Sequence, residues 1–383
     1  MAVITTIQWV MLDMYVPALP LIKEEFGVSE AYLNMTLNSG LIASAVGTLI
    51  GGILSDKYGR KKIFLMGLIG SAVGVSLGIF CGDVVSLIVA RAINGIGSGI
   101  VISVSTAIIK DSYEGEEFIN ATALLQSIAA VGPIVAPTLG ALVIKLSSWR
   151  GIFVLLTVLV VISLIPMLRL TETWPEERRV VTSVGDAVSE SIRYSKNSAF
   201  IIFMVLLAFT AIPMWGFVGV SSYIFINEFG TSYVVYSICY AISAAMSLLG
   251  PFIYMRLCKV IRLRRIVDIS LGILLASAII VIMTGRISFI FFVIGIIPAM
   301  IGEAMMRPLG LVVILEQSPD EAGIASSCTQ FIMNMVGIVG TSVASLPWRS
   351  MTEGIGIIYM GCFIGGLVSW TIILKKRMME AFN

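Results

Sequence analysis

Apolar residues along the chain gather into twelve long runs separated by short polar breaks. They cover residues 1–22, 31–54, 63–81, 84–109, 118–144, 151–170, 199–225, 233–257, 266–284, 287–316, 323–346 and 352–374. At a rise of 1.5 Å per residue, runs of this length cross a hydrocarbon core about 30 Å thick. The pattern predicts an all-α membrane protein with twelve transmembrane helices. The widest break, 171–198, opens with Thr-Glu-Thr-Trp-Pro and divides the runs six and six. It predicts an N-terminal six-helix bundle over 1–170, a cytoplasmic linker over 171–198 with an amphipathic piece, and a C-terminal six-helix bundle over 199–383. The first run begins at residue 1 without a basic leader, so it reads as a short or trimmed first span and not as a cleavable signal.

Composition agrees with this reading. The chain is 58% hydrophobic and 13% charged, with a mean hydropathy of +1.00, whereas a soluble domain is near half apolar and a quarter charged. A net charge of +2 points to no nucleic-acid partner. The placement of the charges is more telling. With both termini in the cytoplasm, eighteen of the twenty-five Lys and Arg lie on that side, as the positive-inside rule requires. The expected location is therefore the inner (cytoplasmic) membrane. The five cysteines lack paired spacing and there is no histidine, so no metal site is expected. Any proton chemistry near neutral pH falls to carboxylates.

One polar break stands out: Gly52-Ile53-Leu54-Ser55-Asp56-Lys57-Tyr58-Gly59-Arg60-Lys61-Lys62. It places five charges between two apolar runs. Gly52 allows close approach of a neighbouring backbone and Gly59 suits a tight turn. Asp56 can pair with Arg60, or with the free N–H groups at the expected start of the eleventh helix near Gly323. The break is echoed at Lys259-Val260-Ile261-Arg262-Leu263-Arg264, 202 residues on, and Ala121 and Gln126 match Ala325 and Gln330 at an offset of 204. Two parallel six-helix repeats mark one class of transporter, with the substrate site near the midplane.

Charges inside spans are costly and are functional candidates by default. Here they are Asp13, Arg91, Glu303 and Arg307. Asp13 and Arg91 lie at depths that agree within roughly 3 Å, so the two can meet. Glu303 and Arg307 are four residues apart on one helical face and can neutralise each other. Trp9, Tyr15, Asn34, Asn38, Asn94, Gln126, Trp215, Tyr223, Tyr240, Gln330 and Asn334 add amides and aromatics to the interior. That mixture suits a pocket for bulky, partly apolar ligands. In the fifth run, Gly132, Pro133, Pro137 and Gly140 predict a bent, closely packed helix. Gly70, Gly74, Gly78 and Gly82 form a packing stripe along the third. Gly74-Val75-Ser76-Leu77-Gly78 formally fits a hydrolase nucleophile elbow, but it lies in an apolar helix of a chain without histidine, so no enzyme is expected.

Together these stretches resemble the major facilitator superfamily. Gly52 to Lys62 is similar to its signature between the second and third helices. Arg91-Ala92-Ile93-Asn94-Gly95 resembles the fourth-helix motif of proton-coupled members. Gly132 to Gly140 resembles the antiporter motif, with Ala136 and Pro137 departing from its closing glycine pattern. Leu12-Asp13-Met14-Tyr15-Val16-Pro17-Ala18-Leu19-Pro20, with Trp149-Arg150, resembles the Bcr/CflA drug-resistance subfamily. The resemblance implies the two-bundle major facilitator fold and efflux of drugs or related amphipathic compounds by alternating access, against inward proton flow. The alternative is proton-coupled export of an endogenous metabolite such as a sugar, amino acid or siderophore. It implies Asp13 as the proton site with Arg91 as its modulator. Gly52, Asp56, Gly59, Arg60, Lys61, Gly132, Pro133, Pro137 and Gly140 become gating residues. Apart from the proton no cofactor is implied; the partners are a small-molecule substrate and the bilayer, and a monomer is expected.

Overall fold

The structure is a computed structural model. It describes residues 1–114, 131–176, 198–317 and 322–376, with 117, 120, 121, 124, 125 and 128; side chains at 12, 311–328 and 330 are not among those described. The chain divides into two compact units, Met1–Val188 and Ser189–Asn383. Among the described residues every regular element is helical. Ten helices among the described residues are long and apolar enough to cross a membrane, and Gly132–Leu146 and Phe331–Ala344 are shorter apolar helices. Helices suit this role because lipid offers no partner to a free N–H or C=O.

The first unit contains α1 (Ala2–Asp13), α2 (Leu19–Phe26), α3 (Glu30–Tyr58), α4 (Arg60–Ile79), α5 (Val84–Ser112), α6 (Gly132–Leu146) and α7 (Trp149–Leu168). The first span, expected as one helix over 1–22, is broken after Asp13 and resumes through a 3-10 turn at Val16–Ala18. Pro17 and Pro20 cause the break, since neither offers an N–H to the preceding turn. The two prolines of α6 also differ from expectation. Pro133 sits in the first helical turn, where a missing N–H costs nothing, and only Pro137 interrupts the interior. The small-residue stripe of α4 ends at Gly78, because the helix stops at Ile79 and Gly82 faces open space. At Gly74 an added Cβ would fall 2.2 Å from the Asn94 nitrogen, so the backbones of α4 and α5 touch there.

The second unit contains α8 (Ser198–Tyr223), α9 (Tyr233–Ser247), α10 (Leu249–Leu257), α11 (Leu263–Thr284), α12 (Phe289–Gln317), α13 (Ala322–Ala344) and α14 (Met351–Lys376). A π-helical turn, Ile224–Glu228, extends α8. The run 233–257, expected to be one helix, is divided at Leu248, three residues before Pro251. A core of Phe200, Phe203, Leu271, Met305, Met306, Leu309 and Trp370 ties α8, α11, α12 and α14 together.

The two units share a device at the same place in their helix order. Glu25-Phe26-Gly27-Val28-Ser29 and Glu228-Phe229-Gly230-Thr231-Ser232 are 203 residues apart. Gly27 and Gly230 both have φ of 63°, which only glycine adopts at no steric cost. Ser29 and Ser232 then cap the next helices by accepting from Tyr32 and Val235 N–H. The glutamates reach across to the last helix of their own unit. Glu25 accepts from Trp149 Nε1 (2.6 Å) and Arg150 Nη1 (2.7 Å) at the start of α7. Glu228 accepts from the Met351 and Thr352 backbone N–H groups and from Thr352 Oγ1 (2.6 Å) at the start of α14. Glu228→Ala should therefore remove a helix cap and destabilise the protein by about 1 kcal/mol. Glu353→Ala, which loses only an exposed ion pair to Arg286, should be near neutral. Thermal unfolding in detergent checks this; equal losses in the two variants would remove the capping role from Glu228.

Candidate functional site

The break in the first span makes Asp13 the final residue of α1, 6% exposed. Arg91 of α5, 2% exposed, lies within its electrostatic reach. The guanidinium donates from Nη1 to the Met11 carbonyl (3.3 Å) and lies 5.2 Å from the centre of the Tyr15 ring. Tyr15 and Thr36 share a hydrogen bond of 2.8 Å. Gly40 lies against the group, where an added Cβ would stand in ordinary contact 3.4 Å from Arg91 Nη2. The arginine is thus held by a carbonyl dipole, a ring face and a carboxylate charge, while its Nε has no hydrogen-bond partner among the described residues.

A layer of neutral polar groups adjoins this pair. Asn94 Nδ2 donates to Ser71 Oγ (3.1 Å) and to Met11 Sδ (3.3 Å). Ser71 and Ser98 both donate to Gln8 Oε1, at 3.0 and 2.8 Å. Gln8, Thr36, Ser71 and Ser98 were not singled out from the sequence; the available signal was an amide or hydroxyl inside an apolar run. Of the expected lining residues, Asn34 is fully buried and Asn38 half-buried in α3, and Trp9 packs at α6 near Gly132. Gly140 of α6 lies against the helix break, where an added Cβ would fall 2.3 Å from the Met14 oxygen. Gln126 lies outside the described residues, as does the Gln330 side chain.

The charged loop is built around Arg60. Gly59, with φ of 96°, ends α3 and lets α4 begin at once. Arg60 is buried and bonds Asp56, Ser55 Oγ (2.7 Å) and Asp111 at the end of α5 (2.8 Å). Residues following α7 close over it. Glu172 accepts from the Arg60 N–H at 2.8 Å and the Lys61 N–H at 3.3 Å, capping an α4 that has no cap of its own. The Trp174 ring lies 4.7 Å from the guanidinium and its Nε1 donates to the Asp56 carbonyl (3.1 Å). Lys61 Nζ donates to the Leu168 carbonyl (3.0 Å). Gly52 brings α3 near Ser103 of α5. Asp111, Glu172 and Trp174 were missed from sequence, because partners 51 to 118 residues away leave no local pattern. The expected contact of Asp56 near Gly323 falls on side chains outside those described.

In the second unit, Arg307 Nε donates to Glu303 Oε1 (2.7 Å) and its Nη2 contacts Met214 Sδ (3.1 Å). The two side chains differ sharply in exposure: 7% for Glu303 and 57% for Arg307. Trp215 is half-buried against Gly340, and Asn334 is buried in α13. Tyr223 and Tyr240, expected as pocket lining, are buried in the body of this unit. Tyr240 stacks on Phe217, which with Phe225, Phe292 and Tyr236 forms a ring-packed core.

The asymmetry of the Glu303–Arg307 pair sets the outcome of breaking it. Arg307→Gln strands a buried carboxylate, for which loss of a partner costs about 3–5 kcal/mol. Glu303→Gln leaves a guanidinium that is already half open, so its cost should be smaller. The double variant Glu303→Gln/Arg307→Gln should recover much of the stability lost in Arg307→Gln. A thermal-unfolding double-mutant cycle reads the coupling, and strictly additive losses would show the two groups to be independent.

Comparison with known proteins places these features in a family. The family model described as Major Facilitator Superfamily matches residues 1–341. The chain is 26% identical to the uncharacterized MFS-type transporter YdgK of Bacillus subtilis (strain 168), across 95% of this chain and 92% of that protein. It is also 26% identical to the multidrug resistance protein MdtL of Klebsiella pneumoniae (strain 342), across 94% of this chain and 89% of that protein. Among solved structures, a bacterial homolog to the human lysosomal transporter Spinster, inward-facing and occupied, superposes with a TM-score of 0.77 at 14% identity, covering 99% of this chain and 96% of that one. The helical architecture and the match across most of the sequence give one conclusion: the chain is a multi-pass membrane transporter of the major facilitator superfamily, and not an enzyme.

Proposed function

We propose that the protein is a proton-coupled exporter of drugs or related small amphipathic compounds, working as a monomer by alternating access in the cytoplasmic membrane with both termini inside. The observation that carries the reading is Asp13, an ionisable group buried at a helix break inside the first span, within electrostatic reach of Arg91. An intramembrane carboxylate is a default proton site, and movement of a neighbouring cation changes its readiness to hold a proton. The printed name of the relative MdtL supports the substrate class, as does the resemblance of the Asp13 stretch to a drug-resistance subfamily.

The parts then take the following roles. Asp13 takes a proton from outside and releases it inside. Arg91, fixed by Met11 and Tyr15, sets the charge that Asp13 meets. The Pro17 and Pro20 break gives the proton site freed backbone groups to work with, as in other carriers with discontinuous helices. Arg60, held by Asp56, Asp111, Glu172 and Trp174, fixes the α3–α4 turn on the cytoplasmic side and acts as the gate support. Gly132, Pro137 and Gly140 let α6 follow the broken first span closely. For a neutral substrate exchanged against one proton, about 100 mV of membrane potential supplies about 2.3 kcal/mol.

Asp13→Asn keeps the shape of the site and fixes it neutral. In everted vesicles with an imposed pH gradient it should lose uphill efflux while downhill exchange persists. Continued protonophore-sensitive accumulation by that variant would move the coupling site elsewhere. A second expectation concerns the gate. Asp111→Asn and Glu172→Gln should each lower turnover several-fold, since about 1 kcal/mol is enough to tilt a balanced two-state equilibrium that far. Lys62→Gln, on an exposed side chain, should not. Equal rates in all three would separate the Arg60 network from gating.

A further inference from the structure

The Glu303–Arg307 pair is unequal in a way that names a ligand chemistry. Glu303 is closed off; its Oε1 is taken by Arg307, and its Oε2 is buried without a hydrogen-bond partner among the described residues. A cationic ligand seeking that carboxylate finds it covered. Arg307 presents more than half of its side chain. Of its five N–H donors, one is directed to Glu303 and one to a thioether sulfur, a weak acceptor. Its contact Met214 lies near the middle of the 31-residue span Ser198–Glu228, so the guanidinium stands near the bilayer midplane, where carriers of this class bind their cargo. Pro308 follows immediately and lies inside the helix, and proline interrupts the backbone ladder at that level. The accessible charge deep in this unit is therefore a cation.

We infer that Arg307 is an anion-recognition group with Glu303 as its counter-ion, so that the preferred substrates are amphipathic compounds carrying a carboxylate. This rests on the reading of the chain as an exporter of small amphipathic compounds. A planar guanidinium binds a carboxylate through two parallel hydrogen bonds. No covalent step is involved. The ligand carboxylate uses donors that Glu303 leaves free, and substituting a neutral amide for Glu303 removes the repulsion between the two carboxylates.

The test is binding to the purified full-length protein in detergent, without a pH gradient, read by quenching of tryptophan fluorescence. Three probes share one ring system: 2-naphthoate, its methyl ester, and 2-naphthylmethylammonium. The wild type should bind the acid about tenfold more tightly than the ester or the ammonium, as expected for a charge-assisted contact. Glu303→Gln should widen that preference, and Glu303→Gln/Arg307→Gln, which removes both charges together, should abolish it. Arg307→Gln alone is not required, so misfolding of that single variant leaves the test intact. Equal binding of acid and ester by the wild type overturns the inference, as does tightest binding of the ammonium, no saturable binding of any probe, or a preference that survives the double variant. Proton coupling is read separately in Asp13→Asn vesicles, so its failure and the failure of this inference are distinguishable.

Discussion

The cost of an ionised group in hydrocarbon shapes both units. A charge at the bilayer centre is disfavoured by several kcal/mol even on the most lenient scales, so each must be compensated where it stands. Arg91 is compensated by a carbonyl oxygen, the face of Tyr15 and the nearby charge of Asp13. Glu303 is compensated by a single Arg307 contact. The first arrangement is buried and draws on α1, α3 and α5. The second is closed on the acid and open on the base.

The backbone obeys the same constraint. A helix interrupted in a membrane leaves N–H and C=O groups that need partners. The first span is interrupted beside the polar layer of Gln8, Ser71, Asn94 and Ser98, and α6 closes on it through Gly140. The irregular backbone therefore coincides with the polar interior of the unit. At one end of each unit, Glu25 and Glu228 hold its last helix to the turn that follows its first span. At the opposite end of the first unit, Glu172 caps α4 and Trp174 covers Arg60. The helix ends are thus fixed by side chains while the interior keeps its breaks.

Much of the fold was legible from the chain. Twelve apolar runs mark twelve membrane helices because lipid demands long uninterrupted apolar segments. Asp13, Arg91, Glu303 and Arg307 stood out because few charges are tolerated in such segments. The spacing of four residues pairs Glu303 with Arg307, and the similar depth of Asp13 and Arg91 leaves them within electrostatic reach of each other. The Pro17 and Pro20 signal was present and was outweighed by the apolarity of the run around it. The Glu-Phe-Gly-x-Ser repeat was present too, but five residues in a 383-residue chain carry little weight until both copies form the same turn.

What the sequence by itself determined was the class of protein, the number of spans and the identity of the costly charges. These depend on local composition, which a bilayer reads one segment at a time. Tertiary structure alone decided which neutral polar groups surround the charges, since Gln8, Ser71 and Ser98 are cheap enough to occur anywhere in a span. It decided that Asp111, Glu172 and Trp174 converge on Arg60 from distant parts of the chain. It decided also that Tyr223 and Tyr240 are core and that Arg307, not Glu303, is the open member of its pair. Exposure is set by the neighbouring helices, and no period or spacing along one helix records which neighbours those will be.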